Sequence, residues 1–184
     1  MNTKRKVILI ALIALMSQVA FAKSKTLKGS VISGKDTIRC EIFVKTGFKK
    51  RLEQNYFTKK VSILKDDVKT KYKPHQIDAF IISSPTEGEL KFVSLSGDKQ
   101  NFYREIIKGR ISYYNFCATI DYTTSYLPVV VKNDKIIFLN VMNSKQRLAK
   151  LLIDYPELHS DWINKYSNKD RIEVIRKYNK HFLK

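Results

Sequence analysis

Between Gly29 and Leu139 short runs that alternate or are β-branched and apolar are separated by turns, and after Met142 the spacing changes to threes and fours. That change of period separates strands from helices. The clearest strand is Thr37 to Lys45, with Ile38, Cys40, Ile42 and Val44 on one face and Arg39 and Glu41 on the other. A short strand, Gly29 to Ser33, leads into it through the turn Ser33-Gly34-Lys35-Asp36. Lys45 to Phe57 has no clear period and is predicted to be a basic loop. Val61 to Leu64 and Val68 to Tyr72 flank an Asp66-Asp67 turn, and Pro74 breaks the run. Ile77 to Ser83 and Leu90 to Leu95 are strands around Ser84-Pro85-Thr86-Glu87-Gly88, and Ser96-Gly97-Asp98 turns the chain again.

Phe102 to Ile107 and Arg110 to Phe116 flank Lys108-Gly109, the pattern of a two-residue hairpin. Val129 to Val131 and Ile136 to Leu139 flank Asn133-Asp134, two residues that tolerate the left-handed turn conformation. Asn143 or Ser144 then caps a helix with the stripe Leu148, Leu151 and Leu152. Pro156 restarts the chain, and residues 157–166 form a short helix with Leu158, Trp162 and Ile163 on one side. Asn168 or Asp170 opens a last helix whose stripe is Ile172, Ile175, Tyr178 and Phe182. The expected class is α+β: an antiparallel β meander or small barrel-like curved sheet over residues 28–140, followed by two to three helices over residues 143–182.

The N-terminus changes what this domain is for. Lys4, Arg5 and Lys6 precede the apolar run Val7 to Met16, and Ala20-Phe21-Ala22 places small residues where a signal peptidase cuts. The run is shorter than the roughly 20 residues a membrane span needs. Residues 1–22 are therefore expected to be a cleaved signal peptide, and residues 23–184 a single exported domain, in the periplasm or at the cell surface. An uncleaved anchor is the alternative.

Charge is the most unusual bulk property. The chain carries a net +18, and removing Lys4, Arg5 and Lys6 leaves +15. Such a field attracts polyanions: anionic envelope components, nucleic acid or acidic glycans. The cations are spread along the chain, densest at Lys45, Lys49, Lys50 and Arg51, so a merely solvated basic surface is the plainer alternative. Export permits one disulfide, Cys40 to Cys117, against two buried free thiols.

Signals for catalysis are thin. His75, His159 and His181 do not sit at metal-ligand spacing, and neither a metal nor a cofactor is expected. A Cys117–His159 nucleophile pair is conceivable in chain order, but Cys117 follows a strand rather than opening a helix, where thiol pKa values fall. Asp66-Asp67 and Glu87/Glu89 fit solvated turns better than an acid–base pair. Tyr103, Tyr113, Tyr114, Phe116, Tyr122 and Tyr126 gather near Arg104 and Arg110. This is either ordinary strand packing or a stacking face for bases or sugars.

Gly29-Ser30-Val31 leading to Asp36-Thr37-Ile38, the stretch Tyr72-Lys73-Pro74-His75-Gln76-Ile77, the hairpin Phe102 to Phe116, and Leu148 to Asn179 with Tyr155-Pro156-Glu157-Leu158 carry a resemblance. Together they resemble a broad family of uncharacterised exported proteins of Gram-negative bacteria. The likeness implies export and this fold, and it implies no catalytic residues.

The leading expectation is a non-enzymatic exported accessory or binding protein that contacts an envelope protein or an anionic envelope component. Arg104, Arg110, Tyr113, Tyr114, Lys49, Lys50 and Arg51 are the candidate binding residues. An exported hydrolase with a site assembled from scattered residues and a secreted nucleic-acid-binding effector are the alternatives.

Overall fold

A computed structural model describes residues 25–47, 51–120, 123–139 and 142–183. Residues 1–22, expected to be a signal peptide, and Lys49, Lys50 and Tyr122 lie outside the described residues. The strands are β1 (Lys25–Ser33), β2 (Asp36–Val44), β3 (Val61–Lys65), β4 (Val68–Tyr72), β5 (Ala79–Ser84), β6 (Gly88–Leu95), β7 (Asp98–Ile107), β8 (Ser112–Ile120), β9 (Thr123–Lys132) and β10 (Lys135–Phe138). The helices are α1 (Ser144–Leu151), α2 (Pro156–Asn164) and α3 (Arg171–His181). The chain is α+β, one curved antiparallel sheet followed by helices, as the change of period predicts.

The strand order is β10-β9-β8-β7-β6-β5-β1-β2-β3-β4. Two meanders therefore run outward from a central β1–β5 pairing, registered from Gly29↔Ile82 to Ile32↔Ala79. Asp66 and Asp67 (φ 49 and 60) and Asn133 and Asp134 (φ 51 and 60) take the left-handed conformation of two-residue hairpin turns. Gly29 lets β1, β2 and β5 close up: a Cβ there would lie 2.6 Å from Ile42 Cδ1 and would clash with the Ile81 carbonyl oxygen.

The two faces of the sheet are buried in different places. On one face of β1–β7, Val31, Ile42, Ile63, Phe80, Ile82, Phe92 and Phe102 form the first core. The segment expected to be a plain loop plugs it. A bridge pairs Thr46 with Leu52, and a 3-10 turn over Gln54–Phe57 drops Phe57 between Phe80 and Phe92, with ring centroids at 5.7 and 5.3 Å. On the opposite face, Ala79, Val93, Leu95, Tyr103, Tyr114 and Val129 form a second cluster. The helices cover the far half of the sheet, where Leu148, Leu152, Trp162, Ile175 and Tyr178 meet Ile111, Tyr113, Val130 and Leu139.

Two expectations need correction. Lys108-Gly109 is not a two-residue hairpin turn. β7 ends at Ile107, β8 begins at Ser112, and the register shifts between Glu105 and Ile107. The four-residue connection is held by Asn179 of α3, which hydrogen-bonds both backbone groups of Ile111 at 2.8 Å. Ile163 does not join Leu158 and Trp162 in the core but is 47% exposed. No helix among the described residues is long and apolar enough to cross a membrane.

Candidate binding surfaces

The residues singled out from the sequence are dispersed. Tyr113, only 5% exposed, is packed beneath the helices. Its neighbour Tyr114 belongs to the opposite face of the sheet, as strand alternation requires. Tyr103 is also buried there, donating its hydroxyl to Asp98 Oδ2 at 2.5 Å. Burial and this bond push the Tyr103 phenol well above its ordinary range. Burial works against the Asp98 carboxylate, but hydrogen bonds from Asn101, Tyr103 and the Gln100 N–H outweigh it and hold the group below the usual carboxylate range. Most of the aromatic cluster is therefore core rather than a stacking face.

Arg110 is bound within the fold. It meets Asp154 at 3.1 Å and lies 4.1 Å above the Phe182 ring. Asp154 also accepts from Lys132 Nζ at 2.9 and 3.0 Å and from the Tyr178 hydroxyl at 2.7 and 2.9 Å. The Asp154 carboxyl is held low: burial opposes its charge, but the bonds from Tyr178 and Lys132 and the lysine's charge prevail. Arg104 and Arg51 act together on a third place, the Tyr126 phenol. Burial, Cys117 and Glu87 raise that phenol while the two guanidinium groups pull it down.

Arg110 and Tyr114 do share one concavity, a groove of about 490 Å³ on the sheet face opposite the first core. Ile32, Val93, Val131 and Ile136 give it apolar walls. Its cations are Lys91, Lys108 and Arg110, and its carboxylates are Asp78, Glu105 and Asp134. Lys91 and Glu105 are paired at 3.0 Å. The groove is thus charge-balanced and has no net pull on an anion.

A different surface carries the excess. Because Val31, Ile42, Ile63 and Tyr72 face the first core, alternation turns Lys28, Arg39, Lys69 and Lys71 to the other face. The register spreads them over that face: Lys28 pairs with Glu41 and Arg39 with Ser30 on β1–β2, Lys69 with Leu64 and Lys71 with Ser62 on β3–β4, and Glu41↔Leu64 puts Lys28 and Lys69 at the two ends of one row. All four are exposed. Among the described residues, none of the four forms an ion pair, although Lys69 lies 4.4 Å above the Phe43 ring. Glu41 sits among them, accepting from Thr26 Oγ1 at 2.5 Å, and the Asp66-Asp67 turn lies at one end. Sequence inspection missed this cluster because its members are far apart along the chain. The only local signal was the two-residue spacing of Lys69 and Lys71, which also protects an edge strand from pairing with another chain.

Both cysteines are free. Cys40 is on β2 and Cys117 on β8, with β7, β6, β5 and β1 between their strands. Burial lifts the Cys117 thiol to about 11, so it is neutral at physiological pH. His159 lines a cleft between α1 and α2, whereas Cys117 lies against Thr58, whose hydroxyl donates to the Cys117 carbonyl at 2.7 Å. The two residues do not form a pair. Among the described residues no group of three or more His, Cys, Asp or Glu side chains gathers closely enough to hold a metal ion.

No family model, no curated protein and no solved structure matches this chain.

Proposed function

We propose that this is a non-enzymatic exported binding protein that docks an anionic envelope component on the open face of β1–β4. The observation that carries the proposal is the exposure of Lys28, Arg39, Lys69 and Lys71 on one face of β1–β4, none of them in an ion pair among the described residues, with Glu41 between them and Asp66 and Asp67 beside Arg39. Exposed cations without ion-pair partners raise the local potential and speed encounter with a polyanion. Export rests on the Lys4-Arg5-Lys6 run, the apolar stretch after it and Ala20-Phe21-Ala22, and it fits the resemblance to exported proteins. The mature protein then works in the periplasm or at the cell surface.

The test is binding to purified lipopolysaccharide between about 0.05 and 0.5 M salt, a range over which exposed charges become screened. Retention falls steeply with salt, and the combined variant Lys28→Glu/Arg39→Glu/Lys69→Glu/Lys71→Glu loses at least roughly tenfold in affinity. A control with Lys165, Lys169, Arg176 and Lys180 changed to Glu carries the same total charge. Equal loss in both variants would refute the face and leave only net charge. Tighter binding to duplex DNA than to lipopolysaccharide would move the protein to the nucleic-acid-binding class.

A further inference from the structure

The helices carry a second concavity, unlike the first in its chemistry. Between α1 and α2 lies a cleft of about 350 Å³. Its walls are Ala149, Ile153 and Ile163, with Lys145 and Lys150 at its sides. Ile153 is 63% and Ile163 47% exposed. Single exposed isoleucines are ordinary, but these two border one hollow, Ile153 from the α1–α2 connection and Ile163 from the end of α2. The cleft is at the small end of ligand sites, which are apolar concavities with a few placed polar groups.

Its polar groups are of one sign. Lys145 Nζ donates to the Ile163 carbonyl at 2.9 Å and lies 5.8 Å from the Trp162 ring, which fixes its ammonium at the rim. Among the described residues Lys150 has no ion-pair partner, and no carboxylate lines the cleft. The surface thus offers an apolar slot with cations beside it. A polyanion has nothing to put in the slot, and a neutral chain gains nothing from the ammonium groups. The ligand that uses both parts has one apolar chain and one anionic head.

We propose that the α1–α2 cleft binds a single-chain anionic amphiphile, its acyl chain against Ala149, Ile153 and Ile163 and its headgroup facing Lys145 and Lys150. The site is on the helices, separate from the basic sheet face, so neither proposal depends on the other.

The experiment titrates the purified protein with laurate below its micelle concentration, by calorimetry and by NMR of the His159 imidazole and the Ile163 methyl groups. Dodecyl phosphate and neutral dodecanol are the comparators. Laurate saturates one site per chain and shifts the His159 and Ile163 signals, while dodecanol binds at least roughly tenfold more weakly for want of a charge-assisted contact. Stronger binding of dodecyl phosphate assigns a phospholipid-like head, and stronger binding of laurate a fatty acid. Ile163→Asp abolishes laurate binding. Lys150→Glu weakens laurate at least roughly tenfold but leaves dodecanol unchanged. Both side chains are exposed, so the fold survives either change, and the signal shifts in the unaltered protein decide the matter without a variant. Non-saturable laurate binding, shifts that avoid His159 and Ile163, or dodecanol binding as tightly as laurate would overturn the proposal.

Discussion

Asn179 on α3 pairs with the backbone of Ile111 as a neighbouring strand would: its Oδ1 accepts from the Ile111 N–H and its Nδ2 donates to the Ile111 carbonyl, both at 2.8 Å. The clamp ties the β7–β8 connection to the last helix, and Asn179 is buried. Gly109 makes room for it, because a Cβ there would lie 2.5 Å from Asn179 Cγ. The Ser112 hydroxyl closes the same connection, accepting from the Gly109 N–H at 3.2 Å and donating to its carbonyl at 3.0 Å.

Removing Asn179 leaves a buried N–H and a buried C=O without partners. Asn179→Ala therefore costs about 2–4 kcal/mol, measured by urea unfolding. Gly109→Ala reaches the same end by pushing the amide aside. The double variant should cost clearly less than the sum of the two, because both break one contact. Additive losses would show that Gly109 serves something other than the clamp.

Gly29 sits where three strands come closest. In Gly29→Ala the new methyl meets Ile42 and the Ile81 carbonyl oxygen, and the backbone acceptor cannot swing away as a side chain would. The expected loss is about 3 kcal/mol, the upper part of the overpacking range. Gly34, with open space around it, is the comparison site: Gly34→Asn, which tolerates its positive φ of 59, leaves stability within about 0.5 kcal/mol. Similar losses at both sites in thermal melts would contradict a steric cause at Gly29.

How far the sequence reveals this architecture depends on distance along the chain. The alternation of Ile38, Cys40, Ile42 and Val44 and the turns at Asp66-Asp67 and Asn133-Asp134 are local signals, and those strands stand where they point. The loop before Phe57 read as structureless because its purpose is to place one side chain between Phe80 and Phe92, contacts invisible to any local period. The Lys108-Gly109 pair gave a hairpin signal that tertiary contact with Asn179 overrode. The candidate binding residues failed for a similar reason. Tyr113 and Tyr114 are adjacent in sequence and so lie on opposite faces, while Lys28 and Lys69 come onto one face, with β2 and β3 between them, only through the β1-β2-β3-β4 order.

Asp154 gives the fold an acid-sensitive joint. Its folded carboxyl titrates below the ordinary value of about 3.9, so its network adds stability above that pH and loses it as pH falls through the lower folded value. Asp154→Asn removes the charge that Lys132, Arg110 and Tyr178 share. At neutral pH the variant should be less stable by about 1–2 kcal/mol, reduced from a fully buried network because the carboxylate is part-exposed. The gap in melting temperature between the two proteins narrows as pH falls below about 4 and closes once pH is below the lowered folded value. A gap that stays constant with pH would mean the network contributes by shape and not by charge.

Cys117 makes the opposite kind of pH signature. Its thiol is 6% exposed and, by burial alone, is raised from 9.0 to about 11 in the folded chain. The folded state therefore holds this proton more tightly than the unfolded state, and the stability difference is complete below pH 9 and is lost as pH rises towards 11. Comparing the unaltered protein with Cys117→Ala in urea isolates that window: the unaltered protein loses its relative advantage between those two values. Alkylation adds a kinetic check. Half-buried Cys40, also raised by burial but opposed by Lys65, reacts first at mildly alkaline pH, and Cys117 reacts only on unfolding. Without reductant, the unfolded chain should take up two alkyl groups per molecule. A chain that takes up none until reduced would instead contain a Cys40–Cys117 disulfide, and β2 and β8 would have to lie within bonding reach of each other.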